Sequence, residues 1–190
     1  MNGNKVIAIG ASTGGVDALE LILSKLPKSM PPILIVLHMQ AGMTRIFANH
    51  LNGISNLTVK EAVSGDILEE GKVLLAPSGK HMRLVKKASG LAVECTLGTK
   101  VEHSMPSATV LFESVADICG KDALGVILTG IGADGAAGLL KMRKNGAKTI
   151  GQTEETCAVY GMPKMAKEAG AVQAELPLNQ IASSLILFAK

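Results

Sequence analysis

The 190-residue chain has no tryptophan, one tyrosine and three phenylalanines. So few aromatics exclude the stacking platforms on which proteins hold single-stranded bases. Charge is also sparse: 19 Lys+Arg against 16 Asp+Glu leave a net charge of +3, with no long basic run. Duplex binding through phosphate contacts gains no support from this balance, and no nucleic-acid partner is expected. The three cysteines, Cys95, Cys119 and Cys157, form no Cys-x-x-Cys pair. They read as free buried thiols in a reducing compartment. No spacing of Cys, His, Asp and Glu resembles a metal site, so neither metal nor cofactor is expected. No apolar run approaches the roughly 18 residues of a membrane span. Met1-Asn2-Gly3-Asn4-Lys5 lacks the features of a signal peptide. The expectation is a cytoplasmic protein, neither exported nor inserted into a membrane.

What is present is a core. At 47% hydrophobic and 18% charged residues, the chain suits one packed domain spanning 1–190. Val6-Ile7-Ala8-Ile9 and Ile33-Leu34-Ile35-Val36-Leu37 are unbroken apolar runs. Leu124 to Thr129 is a third. Such runs suit strands covered on both faces. Between them, Val16, Leu19, Ile22, Leu23 and Leu26 recur at helical spacing, as do Met43, Phe47 and Leu51. Leu57 to Ala62 and Lys72 to Ala76 read as short strands. Met82 to Val85 and Leu91 to Leu97 read as a hairpin across Ser89-Gly90. A helix is predicted from Pro106 to about Cys119, another from Gly135 to Asn145-Gly146, a short one at Gly161-Met162-Pro163, and a closing one over Leu178 to Ala189. The alternation predicts a three-layer α/β fold: a mostly parallel sheet, helices on both faces, and an antiparallel hairpin excursion.

The first strand runs straight into Gly10-Ala11-Ser12-Thr13-Gly14-Gly15. Gly-x-Ser-x-Gly at a strand-to-helix turn fits a nucleophile elbow, and equally a phosphate cradle or a plain helix start. A second glycine-rich turn, Gly130-Ile131-Gly132-Ala133-Asp134-Gly135, follows a later strand. In open parallel sheets ligands bind at the carboxyl ends of strands. Ser12, His38 and Asp134 all fall there. A hydroxyl needs a base to act as nucleophile near neutrality, and the base needs an acceptor that fixes its tautomer. Asp134 is also placed to cap the helix beginning at Gly135. His81, in the turn Pro77–His81, faces either the same cleft or the surface. His50 reads as part of a solvated helix face, and His103 sits in a polar loop. Dinucleotide binding is disfavoured, because Gly-x-Gly-x-x-Gly and the distal acid are missing. A triphosphate site is disfavoured because no Gly-Lys-[Ser/Thr] closes either turn.

Taken together, these motifs resemble the catalytic domain of the chemotaxis protein-glutamate methylesterases, the CheB family. The resemblance is carried by Ile9-Gly10-Ala11-Ser12-Thr13-Gly14-Gly15, His38-Met39, Ala76-Pro77-x-x-Lys80-His81-Met82, Leu128-Thr129-Gly130-x-Gly132-x-Asp134-Gly135 and Tyr160-Gly161-Met162-Pro163. It implies a serine hydrolase that demethylates glutamate methyl esters on the cytoplasmic helices of methyl-accepting chemoreceptors, with possible deamidation of receptor glutamines. Ser12 would be nucleophile, His38 general base and acid, Asp134 the orienting carboxylate. Thr13 would contribute an oxyanion-hole N–H, with Ile131 and His81 near the substrate. Ile131 stands where the family carries methionine. A receiver domain, separate or excised, is the implied partner, and a stand-alone enzyme is the other possibility. The alternatives are an esterase for a non-chemotaxis protein or small ester, and a receptor-binding module without activity.

Overall fold

A computed structural model describes residues 5–190. The first strand, β1 (Val6–Ala11), is buried along its whole length. It is followed by α1 (Gly15–Leu23), β2 (Ile33–Leu37), α2 (Met43–Ile54), β3 (Thr58–Glu61) and β4 (Lys72–Leu75). A hairpin of β5 (His81–Lys87) and β6 (Gly90–Thr96) comes next, then α3 (Ala108–Cys119). The chain ends with β7 (Ala123–Ile127), α4 (Ala136–Lys144), β8 (Lys148–Gln152), α5 (Met162–Glu168), β9 (Ala174–Leu176) and α6 (Leu178–Ala189).

Seven strands form one parallel sheet in the order β3-β4-β2-β1-β7-β8-β9, and β5 and β6 pair antiparallel outside it. The three-layer expectation matches. Alternate residues of β1 enter different cores. Ile7, Ile9 and Ala11 pack with α1, α2 and α6 on one face. Val6 and Ala8 pack with α3, α4, α5 and the hairpin on the other. Strands buried on both faces have no polar side to alternate, hence the continuous apolar runs.

One local expectation changes, and one element is new. The third helix starts at Ala108 with Ser107 as its N-cap, so Pro106 lies before it. Ser107 Oγ accepts the Val110 N–H at 3.3 Å, and that cap sets the boundary. The short edge strand β9 gives no sequence signal, since its three residues are exposed or half-buried and Pro177 follows at once.

The strand order positions the site. From β1 the chain moves outward to β2 and later returns to β1's other side with β7. The loops after β1 and β7 therefore diverge, leaving a crevice at their carboxyl ends.

Candidate active site

Ser12 leaves β1 on a tight turn. The Gly15 N–H donates to Ser12 O at 2.7 Å, and Gly14 has φ 80° and ψ −2°. These are the angles of the third residue in a type II turn, which suit glycine. A Cβ on Gly14 would stand 2.5 Å from the Cβ of Ala158. The device recurs twice. Met43 N–H donates to Gln40 O with Gly42 at φ 83°, and Ala136 N–H donates to Ala133 O with Gly135 at φ 95°. The loops after β1, β2 and β7 thus enter α1, α2 and α4 the same way, and no side chain caps any of these helices.

The register then sets Ser12 and His38 on neighbouring strand ends. Ala11 lies opposite Leu37, and the His38 N–H donates to Ala11 O at 3.1 Å. Ser12 and His38 follow these residues on neighbouring strands, about 5 Å apart at the backbone. On the other side of β1, Ser12 N–H donates to Thr129 O at 3.0 Å, and Thr129 Oγ1 donates to Thr13 O at 2.9 Å. Gly130 permits this approach, since a Cβ there would lie 2.6 Å from Ser12 Cβ.

His38 Nε2 donates to Asp134 Oδ2 at 2.8 Å. Asp134 is 1% exposed. It does not cap its own helix: Gly135 is the N-cap of α4. Asp134 instead sits at the N-terminus of α3. Ala108 N–H donates to Oδ2 at 2.7 Å, Thr109 N–H to Oδ1 at 3.1 Å, and Ser107 Oγ–H to Oδ1 at 2.6 Å. Burial alone pushes the carboxyl pKa up. The bonds from His38, Ser107, Ala108 and Thr109 outweigh it and hold Asp134 below its ordinary value. An ionised carboxylate only accepts, so His38 Nε2 carries a proton, and in the neutral imidazole the lone pair is on Nδ1. The triad arrangement of the serine proteases uses the opposite nitrogens.

The His38 ring is 19% exposed and borders a cleft of about 200 Å³, also lined by Met39, Lys100, His103, Ser104 and Met105. Among the described residues Ser12 Oγ makes no hydrogen bond, and the Thr13 N–H has no acceptor. A larger cleft of about 670 Å³, beside Lys5, Pro32 and Lys190, includes none of the predicted residues.

Of the other expected residues, Thr13 is exposed beside Ser12, and Ile131 is 65% exposed on the loop leading to Asp134. His81 is in neither place expected. It opens β5, is 4% exposed, and both nitrogens are engaged: Nε2 donates to Thr99 O at 2.8 Å and Nδ1 accepts the Ser107 N–H at 3.2 Å. It ties Ser107 to Thr99, and neither ring nitrogen is free. His50 is half-exposed as expected, and pairs with Glu20 at 2.9 Å. Sequence reasoning gave no individual role to Ser107, Thr129 or His103. Ser107 acts through the Asp134 carboxylate and Thr129 through the Thr13 carbonyl, partners distant in sequence. His103 reaches the His38 cleft through a tight turn, where Val101 and Ser104 exchange backbone hydrogen bonds and Glu102 and His103 have φ 47° and 63°.

Fold and site together define a doubly wound α/β domain with a serine, an imidazole and a buried carboxylate at its topological switch point. The chain belongs to the CheB methylesterase family, whose description matches residues 7–185. It is 50% identical over 182 residues to the "Protein-glutamate methylesterase/protein-glutamine glutaminase 2" of Albidiferax ferrireducens, covering 96% of this chain and 53% of that protein. It is 50% identical over 186 residues to the "Protein-glutamate methylesterase/protein-glutamine glutaminase" of Rhizobium etli, covering 97% and 53%. The chain thus spans about half the length of the curated relatives it matches. It superposes with a TM-score of 0.94 on the crystal structure of the Thermotoga maritima CheB methylesterase catalytic domain, at 36% identity, covering 98% of this chain and 99% of that one.

Proposed function

We propose that this domain, residues 1–190, is a serine esterase that hydrolyses glutamate methyl esters on the cytoplasmic helices of methyl-accepting chemoreceptors. It also deamidates receptor glutamines, acts in the cytoplasm and is controlled by a receiver domain on the same or another chain. The single observation that carries the chemistry is the His38–Asp134 bond of 2.8 Å beside Ser12 at the switch point. The relatives' names support the substrate class.

In this reading Ser12 Oγ attacks the ester carbonyl while His38 Nδ1 takes the hydroxyl proton. Asp134 stabilises the imidazolium that results. The carbonyl oxygen becomes an oxyanion, which the Thr13 N–H meets as a hydrogen-bond donor. Collapse breaks the bond to methoxide, and the imidazolium gives it a proton, so methanol leaves and an acyl-enzyme remains. Water then attacks, His38 takes its proton, and glutamate and free Ser12 are regenerated. With glutamine the leaving group is ammonia. Ile131 contacts substrate from the facing loop; His81 does not.

The test is methanol release from methylated receptor, run beside a small chromogenic ester. Wild type should release methanol, and Ser12→Ala should fall to background with an unchanged melting temperature. Near wild-type release by folded Ser12→Ala sinks the mechanism. Turnover of the small ester with none of the receptor sinks the substrate assignment.

A further inference from the structure

We infer that Ser107, with its backbone held by His81, is a positioning residue that fixes the Asp134 carboxylate and through it the His38 ring. Its effect on turnover rests on the esterase reading; its effect on Asp134 does not.

Asp134 has four incoming hydrogen bonds. Only one comes from His38; the other three come from Ser107, Ala108 and Thr109 at the start of α3. Two of those three are backbone bonds that any residue supplies. The Ser107 hydroxyl is the one contributed by a particular side chain, and at 2.6 Å it is the shortest of the four. Ser107 is 0% exposed, so bulk water does not compete for its hydrogen bonds. One hydroxyl serves two partners: it donates to Asp134 Oδ1 and accepts the Val110 N–H at 3.3 Å. Helix start and carboxylate are therefore set by the same atom.

His81 supplies the other half of the mounting. Its Nδ1 accepts the N–H of Ser107 itself, and its Nε2–H donates to Thr99 O. The ring thus ties Ser107 to the loop that carries Lys100 and His103 into the His38 cleft. The ring is confined from outside as well, since a Cβ on Gly98 would lie 3.2 Å from its Cδ2. A carboxylate gripped on both oxygens cannot swing away as the imidazole gains its proton, and preorganisation of this kind is what electrostatic catalysis requires. The hydroxyl also lowers the proton affinity of Asp134, keeping it an acceptor in spite of burial.

The experiment is a ¹³C-carboxyl NMR titration of Asp134 in wild type, Ser107→Ala and Ser107→Thr, with kcat and KM for methanol release measured on the same samples. In Ser107→Ala the affinity of Asp134 for a proton should rise about tenfold, as expected for losing a hydrogen bond to a charged acceptor. The value of kcat should fall about tenfold with KM unmoved. Ser107→Thr, which retains the hydroxyl, should return the Asp134 midpoint to that of wild type. Where Ser107→Ala does not fold, Ser107→Gly takes its place, because glycine is nearly as good an N-cap as serine. An Asp134 midpoint identical in wild type and Ser107→Ala overturns the inference whatever turnover does. A raised midpoint with unchanged kcat also overturns it. Persistent methanol release by Ser12→Ala would instead sink the esterase reading, while the titration would still decide whether Ser107 governs the carboxylate.

Discussion

Replacing Asp134 by asparagine changes one oxygen to an NH₂ and removes a charge, and the structure shows why neither orientation of the amide is satisfactory. Four donors converge on the carboxylate: His38 Nε2 and Ala108 N on Oδ2, and Ser107 Oγ and Thr109 N on Oδ1. With the amide nitrogen in the Oδ2 place, Ala108 N–H loses its acceptor and His38 must turn its Nε2 lone pair inward, moving the ring proton to Nδ1. Then Nδ1 cannot accept from Ser12. With the nitrogen in the Oδ1 place, the useful tautomer survives, Ser107 rotates to accept, and Thr109 N–H is stranded. A buried unpaired N–H costs about 1–3 kcal/mol in either case. For a domain of this size that lowers the melting temperature by roughly 2–12 °C. Folding is therefore weakened but not lost, since domains hold about 5–15 kcal/mol. Turnover should fall much further, because no carboxylate remains to stabilise the imidazolium. The same exchange costs on the order of 10⁴ in a serine protease, or roughly 5 kcal/mol of barrier. A loss of 10²-fold or more is the expectation here. The assay is methanol release at 25 °C, with circular dichroism confirming that the variant is folded. More than about half of wild-type turnover by folded Asp134→Asn would refute the assignment and leave Asp134 as an anchor for α3.

Three further outcomes follow from the same geometry. Gly130→Ala would place a Cβ 2.6 Å from Ser12 Cβ and 3.0 Å from Ser12 N, and against Met162 Sδ; it should displace the serine and cost on the order of 10²-fold in kcat/KM, and unchanged kinetics would show that the elbow yields freely. Asp134 is held below its ordinary pKa, so the stability it contributes is present above the unfolded value, about 3.9, and is lost as pH falls through the folded one. Melts from pH 6 to pH 3 should therefore show wild type losing its advantage over Asp134→Asn, and a constant gap would contradict an ionised Asp134. Burial pushes the thiols of Cys95, Cys119 and Cys157 up to about 11, leaving roughly one thiolate in 3,000 at pH 7.5; iodoacetamide should leave hydrolysis intact, and rapid inactivation without unfolding would give a cysteine a role.

Much of this protein is determined locally, and that part can be read from the chain. Strands buried on both faces must be apolar throughout, so β1, β2 and β7 declare themselves in sequence. The tight turns after them require a positive φ, so Gly14, Gly42 and Gly135 mark where each strand hands over to a helix. Ser12, His38 and Asp134 are conspicuous because each interrupts such a run or turn with a functional group. What could not be read is which groups from distant parts of the chain share a place. Asp134 looks like the cap of the helix it precedes, yet it serves a helix that begins 26 residues earlier. His81 looks like a cleft or surface residue, yet both its nitrogens are taken by Thr99 and Ser107. Ser107 shows no local sign of its role, but its hydroxyl joins helix cap and carboxylate. Hydrogen bonding saturates within a few ångströms, so the role of a polar side chain depends on which donors the fold delivers to it. Sequence alone determined the central strands, the turns after them and where Ser12, His38 and Asp134 fall along the chain; only the tertiary structure decided that Oδ2 of Asp134 faces Nε2 of His38.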